Sequence, residues 1–253
     1  MDTVDMDELT WQEVGNAVLG GRRTVLVPIG ATEQHGPHLP LGTDTMIGTE
    51  IARRVAERLG DALVAPAIPV GCSHDHADFP GTISIDSDAL TALLSGYVRS
   101  LDRHGFEYVV LLPSHGGNFP PVNAAAPELA RDLDAAVVPI ANLDRYMDLL
   151  NEGLQRAGID YEEPVVHAGA TETAAMAAIR SALVHEDRAV AGPETLDSRA
   201  ELVNEGFDDV TESGVLGDPA HATPEAGEEI LETVADAYAG QVRHERRALG
   251  DEE

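Results

Sequence analysis

The chain has 253 residues, 45 of them acidic and 16 basic, for a formal charge of −29; that excess repels phosphate backbones and argues against a nucleic-acid binder. No apolar run approaches the roughly 18–20 residues of a bilayer span, and the acidic start Met1–Trp11 lacks the basic-then-apolar order of a signal peptide, so neither a membrane partner nor export is expected. A single cysteine, Cys72, excludes an intrachain disulfide and a cysteine-based zinc site.

Taken in chain order, the first strong element is the apolar run Thr24–Ile29, read as a strand, followed by a helix over Thr45–Leu59. A second strand over Leu63–Ile68 precedes a helix over Ala89–His104; a third, Tyr108–Leu112, precedes a helix over Pro121–Leu133; a fourth strand is Ala136–Ile140. The strands are apolar throughout rather than alternating, as strands covered on both faces are. Strand–helix alternation of this kind implies a mostly parallel sheet between helical layers. Ala170–Leu183 and Glu225–Ala248 read as further helices, and the polar Arg188–Ala222 as irregular surface structure. No repeat or linker composition interrupts the chain, so one domain over residues 1–253 is expected.

Four loop segments concentrate the chemistry: Gly30–Asp44, Gly71–Thr82, Pro113–Asn118 and His167–Thr173, which together hold six of the ten histidines. In an open α/β sheet functional groups gather beyond the carboxyl ends of strands, so the first and third segments are expected to converge. Glu33 and His35 can aim at one ion or at two neighbours, and Asp44 either caps the following helix or bridges a metal pair. His115 lies in a glycine-flanked turn. Carboxylates and imidazoles without thiolate suit Zn, Mn or Fe in a catalytic site, and paired ions can activate water and polarise a carbonyl. His38 and His74 read as ordinary loop histidines, His76 stands between that reading and the site, and His104 and His185 read as helix-end surface residues. Neither a phosphate-binding glycine loop nor a Gly-x-Ser-x-Gly elbow is present, which leaves nucleotide binding and serine-hydrolase chemistry without support.

The run LVPIGATEQHGPHLPLGTD, with HADFPGTISI, LLPSHGGN and HAGATET in the same order, resembles the creatininase family of metal-dependent amidohydrolases over about residues 20–240. The resemblance implies a three-layer α/β/α sandwich, two divalent ions (Zn, Mn or Fe) per subunit and a homo-oligomer, usually a hexamer. Carried across, Glu33, Asp44 and His115 match the ligands of one metal, and His35 and Asp44 those of the other, with Asp44 bridging. His167 matches a histidine that assists proton transfer. Creatininases proper resemble G-H-Y-E-N at the third segment, where this chain has Ser114-His115-Gly116-Gly117-Asn118. Gly117 cannot ligate, so Glu172 is the candidate for the missing ligand and, with His167, for catalysis. His76, Gly116, Gly117 and Asn118 are candidate substrate contacts, the two glycines leaving the floor of the site wide. The only tryptophan is Trp11, so a tryptophan-lined creatinine pocket is not expected. The S-H-G-G-N form is closer to branches that deformylate a formamidopyrimidine nucleotide or process mycofactocin precursors. Deformylation is the favoured expectation; creatinine hydrolysis, precursor-peptide cleavage and a non-catalytic binding protein on the same fold are the alternatives.

All 16 basic residues are arginine. With ordinary apolar content and carboxylates spread along the chain, the composition reads as a solvated acidic coat suited to a salt-rich cytoplasm.

Overall fold

The computed structural model describes residues 3–131, 133–164, 166–196, 202 and 206–251. Its strands are β1 (Thr24–Ile29), β2 (Ala62–Val64), β3 (Tyr108–Pro113) and β4 (Ala136–Pro139), paired in parallel in the order β2-β1-β3-β4. Every residue of β1 and β3 is buried, which is why those stretches are apolar without alternation. Thr24 pairs with both Ala62 and Tyr108, and Ile29 with Pro113, so β1 and β3 end side by side.

The helices are α1 (Trp11–Leu19), α2 (Thr43–Leu59), α3 (Ser87–Arg103), α4 (Phe119–Leu129), α5 (Leu143–Arg156), α6 (Ala170–Arg180), the short α7 (Phe207–Val210) and α8 (Pro224–Ala248). Helix α2 packs on β1 and joins α5, α6 and α8 in one layer, while α3 and α4 cover the other face. The three-layer α/β/α sandwich is therefore present. Among the described residues no helix is long and apolar enough to cross a membrane.

Several boundaries differ from the sequence reading. The second strand stops at Val64 because Pro66 brings no N–H to the ladder; the backbone rejoins only at an isolated bridge between Ile29 and Ile68. Helix α4 starts at Phe119, so Pro120 and Pro121 occupy the first turn, where an N–H has no helical partner, and it ends at Leu129 rather than Leu133. Helices α1 and α5 were not expected. Helix α1 opens with a reciprocal cap between Thr10 and Glu13, and α5 with the Asn142 side chain accepting from Arg145 N–H. Trp11 and Leu19, at the two ends of α1, are 81% and 88% exposed. Part of Arg188–Ala222 lies outside the described residues; the rest is not simply surface, since Phe207, Val215 and Leu216 are buried.

Candidate metal centre

The loop after β1 carries Glu33, Gln34 and His35 inward, all of them buried. A Cβ at Gly30 would lie 2.5 Å from Thr45 Cα, so glycine is what lets the start of α2 press against this loop. That approach delivers Asp44. It does not cap the helix: Gly42 holds the N-cap position, and Asp44 lies within the first turn with its carboxylate turned to the site. From the end of β3, Ser114 Oγ donates to the Asp44 carbonyl (2.8 Å), and His115 follows. Bridges Thr32–Ile83 and Gly71–Ser84 hold the Gly71–Thr82 segment beside the first loop, with His76 buried. An antiparallel bridge to Leu216 holds His167. Ala168 has φ 53°, a left-handed conformation that costs a residue with a Cβ about 1 kcal/mol or more. The turn it makes lets Ala168 N–H donate to Glu172 Oε2 at 2.6 Å, which fixes that carboxylate.

The result is one buried cluster. His115 Nδ1 lies 3.2 Å from Glu33 Oε1 and 3.5 Å from Asp44 Oδ2. His35 Nε2 lies 3.4 Å from Asp44 Oδ1 and 3.6 Å from Glu172 Oε2. Each histidine donates its other ring nitrogen to a backbone carbonyl: His115 Nε2 to Cys72 (2.9 Å) and His35 Nδ1 to Glu33 (3.2 Å). Such outer partners turn the inner nitrogen lone pair toward a metal. Both oxygens of Glu33, Asp44 Oδ2 and His35 Nε2 are buried without a hydrogen-bond partner. Unpartnered buried acceptors are costly, and divalent cations bound among them would satisfy them. Three overlapping sets of ligand atoms lie within 4.8 Å of one another: Glu33–His35–Asp44, His35–His167–Glu172 and Glu33–His76–His167. The donor set therefore fits divalent metal.

The electrostatics agree. Burial opposes charge on His35 and His115, but Asp44 and Glu172 around the first, and Glu33 and Asp44 around the second, hold both imidazoles charged well above the usual histidine range. Burial likewise opposes charge on Asp44, yet His35 and His115 depress its pKa. The cluster's carboxylates demand positive charge. His167 and His76 behave in the opposite way: burial, reinforced by neighbouring charged histidines, keeps both neutral, His76 being lowered to about 2.

Other expected contacts are placed differently. At Gly117 the space a side chain would fill is taken, with a Cβ falling 2.1 Å from the Cys72 carbonyl oxygen and 2.7 Å from His115 Nε2. This half of the Gly116–Gly117 pair is close-packed rather than a wide floor; only Gly116 faces open space. Asn118 spends its amide on backbone, accepting from Cys72 N–H (3.0 Å) and donating to the Gly30 carbonyl (2.9 Å). His38 is not a loop-surface residue: it is buried, with Nε2 2.9 Å from Thr173 Oγ1. His74, His104 and His185 are exposed. Two residues of the site were missed. Phe207 stacks on His76 with ring centroids 3.9 Å apart, and its polar surroundings in the sequence gave no sign of this. Gln34 contacts both His76 and His167, and its place between two candidate ligands was the available signal.

A family model described as creatinine amidohydrolase matches residues 7–242. The mycofactocin precursor peptide peptidase of Mycolicibacterium smegmatis is 37% identical over 229 residues, covering 87% of this chain and 84% of that protein. The creatinine amidohydrolase of Pseudomonas putida is 32% identical over 260 residues, covering 96% and 97%. A creatininase crystal structure superposes with a TM-score of 0.82 at 31% identity over 97% of this chain and 98% of the other. Related creatininase structures include a zinc–zinc form and a manganese form. A formamidopyrimidine-nucleotide deformylase of Methanobrevibacter smithii matches over 89 residues, 35% of this chain and 37% of that protein, at 30% identity.

Proposed function

The chain belongs to the creatininase family of amidohydrolases, and from that premise we propose that it binds two divalent ions and hydrolyses a C–N amide bond in a peptide-like substrate. The observation that carries the reading is the buried set of unpartnered carboxylate and imidazole atoms at the ends of β1 and β3. Glu33, Asp44 and His115 would hold one ion, and His35, Asp44 and Glu172 the other, with Asp44 between them. Bound there, the ions supply Lewis acidity toward the carbonyl and lower the pKa of water. Burial of the ligands excludes bulk water, and Glu172 is held in place by Ala168 N–H. His167, neutral and with Nδ1 facing Glu33 at 3.9 Å, would accept the proton that the attacking water loses and pass it to the nitrogen as the C–N bond breaks.

The peptide preference draws on similarity to the precursor peptidase across 87% of the chain, whereas likeness to the deformylase extends over 35%. The absence of tryptophan from the site supports a substrate other than creatinine, Trp11 being on exposed α1. Copies of the chain assemble into a homo-oligomer, a hexamer by resemblance, in a salt-rich cytoplasm. The test is a hydrolysis screen of metal-loaded protein in high salt, comparing short peptides, the formamidopyrimidine nucleotide and creatinine. Peptide cleavage with the highest kcat/KM is expected. Formate release alone would restore deformylation, and no turnover by a fully metallated protein would overturn the hydrolase reading.

A further inference from the structure

Gln34 is buried between two histidines, and its amide has one possible orientation. Its Oε1 accepts from Gly36 N–H at 2.9 Å, which turns the NH2 end toward His76 Nδ1, also at 2.9 Å. An NH2 group only donates, so His76 Nδ1 must accept and the ring's proton must reside on Nε2. That nitrogen points at the metal cluster, 3.4 Å from Glu33 Oε1, with Asp75 Oδ1 further off at 3.8 Å. Phe207, stacked on the ring with planes 24° apart, resists its rotation. His167 receives different treatment from the same residue. Its Nε2 lies 2.9 Å from both the Gln34 amide nitrogen and the Gln34 carbonyl oxygen, so this nitrogen has a partner whether or not it carries a proton.

We infer that Gln34 is a positioning residue that locks His76 as a neutral Nε2–H donor aimed at the oxygen of the scissile carbonyl. The inference rests on the amidohydrolase reading for its catalytic meaning and on hydrogen-bond geometry alone for the tautomer. It also excludes His76 as a metal ligand, because a protonated Nε2 offers no lone pair. The donor adds no atom and moves no proton; it stabilises charge that develops on the carbonyl oxygen. Removing one such donor typically costs roughly 10²–10³ in kcat.

The tautomer is read directly from two-bond ¹H–¹⁵N correlation spectra of zinc-loaded, histidine-labelled protein, with His76 assigned by its loss in His76→Gln. A proton-bearing Nε2 and an unprotonated Nδ1 are expected; the reverse pattern, or a metal-ligated Nε2, overturns the assignment. Gln34→Glu supplies an acceptor where the wild type has a donor and should draw the proton to Nδ1. With metal content unchanged, kcat should fall about 10²-fold or more while KM stays within a few-fold. A flipped tautomer with undiminished kcat would remove His76 from catalysis. Should Gln34→Glu misfold, the wild-type spectrum still decides. A metallated wild type that hydrolyses no amide but shows the Nε2–H pattern would sink the hydrolase reading and leave the tautomer assignment standing.

Discussion

On the proposed function, substitutions at Asp44 and His167 should separate metal binding from proton transfer. Asp44 touches both His35 and His115, so Asp44→Ala should release both ions, which elemental analysis of the reconstituted variant would detect as a fall from two equivalents. His167→Ala should retain metal and lose about 10²–10⁴-fold in turnover; normal turnover would move the proton-transfer role elsewhere. The paired glycines make a second contrast. Gly117→Ala pushes a methyl group into the Cys72 carbonyl and the His115 ring, so it should displace His115, weaken metal binding and destabilise the fold by about 1–3 kcal/mol. Gly116→Ala meets nothing within 4 Å and should be nearly neutral in a thermal melt. Equal effects from the two substitutions would contradict this packing.

Among the elements, α6 depends on an acid that is not part of the cluster. Glu163 accepts from Ala170 N–H, Thr171 N–H (3.0 Å) and the Thr171 hydroxyl (2.8 Å), and so holds the start of the helix that presents Glu172. Burial raises its pKa from 4.5 to about 7 against the pull of those donors. Below about pH 4.5 the carboxyl is neutral in folded and unfolded chains alike. As pH rises toward 7 the unfolded chain ionises first while the folded one keeps its proton, so stability falls, by up to about 3 kcal/mol for a shift of this size. Glu163→Gln should flatten the dependence of denaturation midpoint on pH across that window; identical slopes for variant and wild type would refute it. This role was hidden in the sequence because Glu163, beside Glu162 and four residues before His167, carries no local pattern. The strands were legible for the opposite reason, since burial on both faces leaves a run such as Thr24–Ile29 no polar option. Helices α1 and α5 are legible in principle, through Thr10 with Glu13 and through the spacing of Leu143, Tyr146, Leu150 and Leu154. Glu33, His35, Asp44, His115, His167 and Glu172 could be gathered from strand ends and motif resemblance. Gln34 stood between two of these, but Phe207 could not be gathered, because its role arises from a ring contact with His76 far away in the chain.

At the scale of the whole molecule the arginines are placed as cross-links. Arg54 pairs with Glu50, Glu228 and Glu232, and Arg58 with Glu232 and Asp236, joining α2 to α8. Arg246 is buried against Asp61 and Asp251, tying the end of α8 to the bottom of the sheet. With 16 bases against 45 acids, carboxylates far outnumber the arginines that could pair with them, and the net effect of added salt should be relief of repulsion. The melting temperature is therefore expected to climb from low to molar KCl. A flat profile would mean that the acidic coat is not a salt adaptation.

The exposed position of Trp11 gives the protein an intrinsic optical label. As the only indole in the chain, it dominates near-ultraviolet fluorescence, and at 81% exposure its emission reports water contact at one known point of α1. Fluorescence recorded along a dilution series would then follow whether α1 is covered when copies associate. A blue shift with rising concentration places that helix in the interface, and a constant, quencher-accessible spectrum places the interface on another face.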